Sequence, residues 1–534
     1  MRWMGRIAGL AVLILASLVG AHTAQARTAP PPSKVLILVL DQFRPDYVDT
    51  FGMDHVKALM HDGVNFDDAY LGHMASETVI SHNVMTSGQL PKHMGWADEA
   101  FRDSDNVLSG GTDAMWISGS LGRAQFNDLI SHAGYAKLAD HLHGAYPGTK
   151  FITVGQKNYA VYSSNGPTGD ISVTLSSANQ TCDGHGGWRQ PTGLNVPAYL
   201  TSFCGRYFVD SSNPYGTNLE SPAWMYPLDG NRYIPSTDPN HLGGDVWTAE
   251  AAMAMMDNEP WSGMLVTMGA IDKISHMRGG ITDTADGPTH LRAIAQTADE
   301  QVGNIVAHLK ATGQYDDTLI VLTTDHAGQP ATRFHGIDGP GRGDFNWYYN
   351  GPEPTKNGNF NDPSPEVKKF AEDTGNVRFS YQDTAIRTWL NDTSRDAKIA
   401  AAQRMAEMPD VIATYRLAGG HYERVTKDIG AMSVSERTWW AQHAQEIVDT
   451  MAAPYAPDVV GLLKDDTSYG VAGDHGGAQK PVQRIPIVIA GGGVGSRDSH
   501  QPMRSVDITP TVLRAMGIAP LNAMDGTAYA LPRR

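Results

Sequence analysis

Four short segments of this 534-residue chain place carboxylates and imidazoles where an ion could be held. Asp41 directly follows the apolar run 35–40. Asp272 and His276 follow the run 264–268, and Asp325 and His326 follow the run 319–322. His475 lies in Ala472-Gly473-Asp474-His475-Gly476-Gly477, shortly before the run 485–489. Each alone is a weak signal. An Asp after a strand commonly serves a turn or a helix cap, and Asp272 with His276 is also an ordinary one-turn helix pair. Together they supply the His and carboxylate ligands that zinc accepts where thiols are lacking. Only two cysteines exist, Cys182 and Cys204, so an all-Cys site is excluded. A fifth segment, Ser76-Glu77-Thr78-Val79-Ile80-Ser81-His82-Asn83-Val84-Met85-Thr86-Ser87-Gly88, leads from a loop hydroxyl into a helical stretch. Thr78 therefore falls near a helix N-terminus, which attracts anions and supports an alkoxide. The same position suits a plain N-cap, and Thr78 alone does not separate the two.

These residues need a scaffold that brings them to one place. The runs 35–40, 151–154, 264–268, 319–322 and 485–489 are continuous and apolar, as strands buried on both faces are. Helical patterns lie between them, for example over 289–311 and 394–408. Alternating strands and helices predict an α/β fold: a three-layer α/β/α sandwich with a mainly parallel central sheet. Ligands of such sheets bind beyond the carboxyl ends of the strands, where three of the runs deliver Asp and His. Residues 163–244 are rich in Gly, Pro, Asn, Ser and Tyr and read as a cap inserted in a catalytic domain spanning 34–534. Residues 336–365 form a second loop-rich stretch, which suits a lid or a decorated surface loop. Its Trp347, Tyr348 and Tyr349 suit pinning that loop or stacking on an aromatic group.

Composition narrows the class. A 41% apolar fraction supports a sizeable core, and 18% charged residues argue against disorder. The net charge of -16 argues against binding to nucleic-acid duplexes, although a bound metal can reverse the field locally. Arg2 and Arg6, an apolar run over 7–21 and Ala24-Gln25-Ala26 read as a cleaved signal peptide over 1–26, followed by a linker over 27–33. The run is short for a membrane span, and no later segment is apolar enough to cross a bilayer. The reading is thus an exported protein, periplasmic or secreted. In an oxidising compartment Cys182 and Cys204 are available to pair and close a short loop, or to stay reduced. Oligomeric state is not legible.

Taken in order, LVLDQFRPD, TVISHNVMTSG with PKHMG, AIDKISH, TTDHAG, GDHGG and the closing Val506-Asp507-Ile508-Thr509-Pro510-Thr511 resemble the Thr-nucleophile branch of the alkaline phosphatase superfamily. That branch holds nucleotide pyrophosphatase/phosphodiesterases and single-domain bacterial alkaline phosphatases. The resemblance implies two zinc sites, other divalent ions remaining open. Asp272, His276 and His475 match one site. Asp41, Asp325 and His326 match the other, which Thr78 Oγ also joins as the nucleophile. The implied activity is hydrolysis of a small phosphate ester through a phospho-threonine intermediate. The rival classes are a metal-binding pseudo-enzyme and a phosphoryl transferase, yet all seven positions carry competent residue types.

The resemblance departs at the phosphate-binding groups. The bacterial alkaline phosphatases place an Asn past the nucleophile helix, where this chain aligns Asp98. They also carry a Lys and an Arg two residues apart; Lys157 matches the first, and Tyr159 stands where the Arg would be. A monoester brings nearly two negative charges and a diester one. Losing the two-pronged grip of Arg, and placing a carboxylate beside the phosphate, disfavours the dianion. The departure points to a phosphodiesterase or pyrophosphatase, with a monoesterase of altered specificity as the alternative.

Overall fold

The computed structural model describes residues 30–175, 190–203, 244–278, 287–336, 346–349, 364–428, 430, 432–470 and 473–534. The signal-peptide reading, Cys182, Cys204 and most of the cap and lid stretches fall outside these residues.

The strands used below are β1 (Lys34–Leu40), β2 (Val64–Phe66), β3 (Lys150–Gly155), β4 (Ile171–Leu175), β5 (Pro191–Leu194), β6 (Trp261–Met268) and β7 (Thr318–Thr323). They continue with β8 (Asn346–Tyr349), β9 (Val377–Gln382), β10 (Ala385–Leu390), β11 (Val411–Leu417), β12 (Tyr422–Lys427), β13 (Val459–Leu463), β14 (Ile487–Gly491) and β15 (Arg497–Ser499). Nine of them form the main sheet, in the order β15-β2-β14-β7-β1-β6-β3-β4-β5. Its middle, β4-β3-β6-β1-β7, is parallel, whereas β14 runs antiparallel to β7. Val35 to Leu40 have no exposed surface. Each such side chain contributes about 1.5–3 kcal/mol of burial free energy, which is why an unbroken apolar run marks this strand. The sheet separates two apolar layers, one including Leu36, Leu38 and Leu40 and the other Val35, Ile37 and Val39. Helices Gly244–Asn258 and Gly287–Ala311 pack on the first layer, and Ile508–Met516 on the second. This is the mainly parallel α/β architecture read from the sequence.

Three features differ from that reading. Residues 171–175 and 191–194, assigned to the cap, are β4 and β5 of the main sheet. Residues 346–349, assigned to the loop-rich stretch, form β8. Finally, β8-β9-β10-β13-β11-β12 make a second, six-stranded sheet whose pairings are antiparallel. Its strands carry Arg, Thr, Ser and Gln among their apolar residues, so they lack the continuous signature of β1. The expected helix over 394–408 is Arg395–Met405, and the Ser394 hydroxyl accepts the Ala397 N–H at its start.

Candidate active site

Adjacent parallel strands in register end side by side, and that alone gathers the site. Leu40 pairs with Met268, and Val39 pairs with both Thr267 and Thr323. Asp41 therefore emerges beside the residues that follow β6 and β7, and its N–H is bonded to Met268 O at 2.9 Å. After β6 the chain turns into helix α2 (Ala270–Arg278). Asp272 and His276 stand one turn apart there, with Nε2 3.1 Å from Oδ1.

Two triads result. Ligand-type atoms of Asp272, His276 and His475 lie within 4.8 Å of one another, as do those of Asp41, Asp325 and His326. The orientation of each group is fixed from behind. Asp325 Oδ1 accepts from the Gln42 and His326 N–H groups at 3.2 and 3.0 Å, which leaves Oδ2 facing its triad. Buried Gln42 adopts a φ of 60° to make this turn, and its amide bonds Gly473 O at 2.8 Å. His475 Nδ1 lies 3.0 Å from Ser76 O and must donate to it, so Nε2 is the atom left for a metal, its lone pair freed when a bound cation displaces the proton that Asp272 favours there. That atom faces His276 Nε2 at 3.2 Å and Asp272 Oδ1 at 3.5 Å.

Such a centre fits a cation. Asp41 Oδ1 and Asp325 Oδ2 are buried and accept no hydrogen bond. Three carboxylates, Asp41, Asp272 and Asp325, face a single ammonium. Lys157 Nζ is 2.7 Å from Asp41 and 2.6 Å from Asp272. Against the effect of burial, Lys157 holds Asp272 well below the usual carboxylate range. Burial, with Asp325 beside it, pushes Asp41 well above. Burial also keeps His326 neutral, the form that ligates a metal. At His475 burial opposes protonation, but Asp272 raises it to about 9. Hard carboxylate and borderline imidazole donors suit zinc among divalent ions.

Thr78 is the first residue of helix α1 (Thr78–Ser87), as its position in the motif suggested. Its Oγ is 3.3 Å from His326 Nε2 and 3.2 Å from Lys157 Nζ. One turn on, His82 donates from Nδ1 to Thr78 O at 2.8 Å, and its Nε2 lies 2.9 Å from Thr267 Oγ. The nucleophile candidate is thus tied to the end of β6. Lys157 follows β3 and precedes helix Asn158–Asn165, on whose first turn Tyr159 stands. Burial, together with Glu99, raises the Tyr159 phenol, although Lys157 opposes this.

The structure corrects one placement. Asp98 was expected beside the phosphate, but its carboxylate is fully buried and turned to Arg387, 2.7 Å from Nε. The neighbouring Glu99 is also buried. Its N–H donates to Glu77 Oε2 at 2.9 Å, its carboxylate accepts the Tyr381 hydroxyl at 3.4 Å, and it is within electrostatic reach of His475 and Lys157. Burial pushes Glu99 up to about 7 against the pull of His475. Arg387, brought in from β10, captures Asp98, and the Glu99 carboxylate lies beside the same cluster. The sequence reading also left out Ser76, His82 and Arg387. His82 had a signal, since it lies four residues after Thr78 and hence on the same helix face. Arg387 had one too, as a lone charge inside the apolar strand AIRTWL.

The fold is that of the alkaline phosphatases among the solved structures. The wild-type alkaline phosphatase PafA superposes with a TM-score of 0.60 at 14% identity, over 94% of this chain and 98% of that one. In sequence, the chain is 23% identical over 344 residues to the alkaline phosphatase PhoD of Zymomonas mobilis, covering 58% of this chain and 56% of that protein. It is 25% identical over 342 residues to PhoK of a Sphingomonas species, covering 58% of each. The chain thus spans less than two thirds of the length of these curated relatives. Residues 35–340 match the model of the type I phosphodiesterase / nucleotide pyrophosphatase family, and the chain belongs to that family.

Proposed function

We propose that this chain is an exported two-zinc hydrolase of phosphoric esters, with Thr78 as nucleophile and a preference for diesters or pyrophosphates. The observation that carries the reading is the placement of Thr78 Oγ against His326 and Lys157, where the two buried triads meet. Asp272, His276 and His475 would hold one ion, and Asp41, Asp325, His326 and Thr78 the other. Bound zinc supplies Lewis acidity that lowers the pKa of a coordinated hydroxyl or water and neutralises charge on phosphoryl oxygens.

The chain's own groups do the rest. Thr78 Oγ gives up its proton to solvent and attacks phosphorus, the ester P–O bond breaks, and the leaving oxygen departs with the electron pair as an alkoxide, which takes a proton from water. Lys157 stabilises the oxyanion through a charged hydrogen bond, and the N-terminus of α1 adds its dipole. Water then attacks the phosphorus on Thr78 and the hydroxyl is released. His82 keeps Thr78 in place by holding its carbonyl.

The diester preference rests on charge. Lys157 is the one cationic side chain in contact with Thr78 among the described residues, while Tyr159 and Glu99 are within its electrostatic reach. Tyr159 offers one neutral donor where a guanidinium would offer two charged ones. Ionised Glu99 repels a dianion more than a monoanion. A monoesterase of altered specificity is the alternative, favoured by that same Lys157 contact. The test is kcat/KM for p-nitrophenyl phosphate against bis-p-nitrophenyl phosphate, on metal-quantified protein at mildly alkaline pH. A diester preference supports the reading; a strong monoester preference makes the chain an alkaline phosphatase. Among the described residues no helix is long and apolar enough to cross a membrane.

A further inference from the structure

Behind the nucleophile lies a charged cluster with no exposed surface at its centre. Arg387, in the middle of β10 of the second sheet, is surrounded by acceptors. Nε meets Asp98 Oδ2 at 2.7 Å, and Nη2 meets Glu77 Oε1 at 2.6 Å as well as Asp383. Nη1 donates to Gly476 O at 2.5 Å, and the plane rests 4.8 Å from the Tyr381 ring centre. Two of these partners are chemically placed. Glu77 immediately precedes Thr78, and Gly476 immediately follows His475.

The two loops that Arg387 grips are also laced to each other. Ser76 accepts the His475 ring N–H at its carbonyl, donates its hydroxyl to Gly477 O at 3.0 Å and accepts the Gly476 N–H at 3.1 Å. From the second sheet, the Thr384 N–H donates to His475 O at 3.1 Å. Gly476 has a φ of 106°, and a Cβ there would overlap the Asp383 carboxylate that pairs with Arg387. Only glycine lets the loop lie this close.

A fully buried cation among three carboxylates is a poor way to gain stability, because desolvation offsets most of the attraction. Its use lies in geometry. A guanidinium is a rigid planar fork that fixes several partners at once, and an ammonium is a point charge that cannot. We propose that Arg387 is a positioning residue that sets the register between the nucleophile loop and the His475 loop. Arg387 contacts neither Thr78 nor a triad residue, and it acts through Glu77 and Gly476. The proposal rests on the roles of Thr78 and His475 given above.

The test uses the full chain and Arg387→Lys, Glu77→Gln and their double variant. Zinc affinity is read by chelator competition, and kcat and KM are read on zinc-saturated protein with bis-p-nitrophenyl phosphate. A misplacement of about 1 Å costs roughly 100-fold in rate, so Arg387→Lys should lose about that in kcat with KM nearly unchanged. Affinity at one of the two zinc sites should fall roughly 10–100-fold, as for lost groups that orient a ligand. The double variant should lose little more than Arg387→Lys alone. In Arg387→Ala, added guanidinium should recover part of the lost kcat. A variant with a lowered Tm but wild-type zinc affinity and kcat would overturn the proposal, leaving Arg387 only a stabiliser. If Arg387→Lys does not fold, Glu77→Gln decides: wild-type kcat and zinc affinity there refute the proposal. If the wild type cleaves no ester, the functional reading fails, and zinc affinity alone decides on Arg387.

Discussion

Replacing Lys157 by Met removes the ammonium and keeps most of the side-chain volume. Nζ stands 3.2 Å from Thr78 Oγ. At an effective dielectric of about 20, a unit charge at that distance stabilises an alkoxide by about 5 kcal/mol. Asp272 and Asp41, at 2.6 and 2.7 Å, already share the same charge. Halving the figure for that competition leaves about 2.5 kcal/mol, or about 70-fold in kcat/KM. The loss should be roughly tenfold greater for a dianionic monoester, because a second substrate charge loses its partner. Metal affinity should hold or rise, since the variant frees two carboxylates from an ammonium. The assay is kcat/KM for p-nitrophenyl phosphate and its bis ester on metal-quantified wild type and variant. Losses under threefold on both esters, with metal content unchanged, would refute the placement of Lys157 at the reacting oxygens.

His475→Ala should weaken one zinc site in chelator competition by more than the roughly 10–100-fold that losing a ligand-orienting partner costs; an unchanged metal count with a normal rate would remove His475 from the ligand set. Tyr159→Arg and Glu99→Gln should each raise monoesterase relative to diesterase activity, by about tenfold for a restored or relieved charge, and a constant ratio would detach both from specificity. Asp465 lies far from this chemistry and tests the electrostatics of the fold. Burial, with Glu436 nearby, pushes it up to about 7, and its Oδ1 is buried without a hydrogen bond. A raised carboxyl pKa costs nothing below about pH 4, where folded and unfolded chains are both protonated. The cost grows as pH rises to about 7 and stays constant above it. Asp465→Asn should therefore leave Tm unchanged at pH 4 and stabilise by about 1–2 kcal/mol at pH 8, after allowance for partial exposure. Equal Tm values at both pH values would contradict the shift.

The parts of the site that the sequence revealed share one cause. A strand buried on both faces must be apolar throughout, so β1, β6 and β7 stand out, and a parallel sheet puts the residues after them together. Asp41, Asp272, His276, Asp325 and His326 follow from that rule. The second sheet did not stand out, because its antiparallel strands bury polar groups whose partners are remote in sequence. Arg387 reads as an anomaly in AIRTWL until Glu77, 310 residues away, is brought against it. The placement of Asp98 has the same origin. Its side chain's direction is not set locally; it depends on capture by Arg387. Strand β14 begins at Ile487, two residues later than the apolar run suggests, because Pro486 has no N–H for a ladder.

The most direct test of the central claim is to quench the zinc-loaded enzyme with acid during turnover of bis-p-nitrophenyl phosphate and map its peptides by mass spectrometry. A covalent aryl-phosphoryl adduct on Thr78 is the expected result. Thr78→Ala is expected to bind two metals yet show neither adduct nor turnover. An adduct on another residue, or full activity in Thr78→Ala, would contradict the claim.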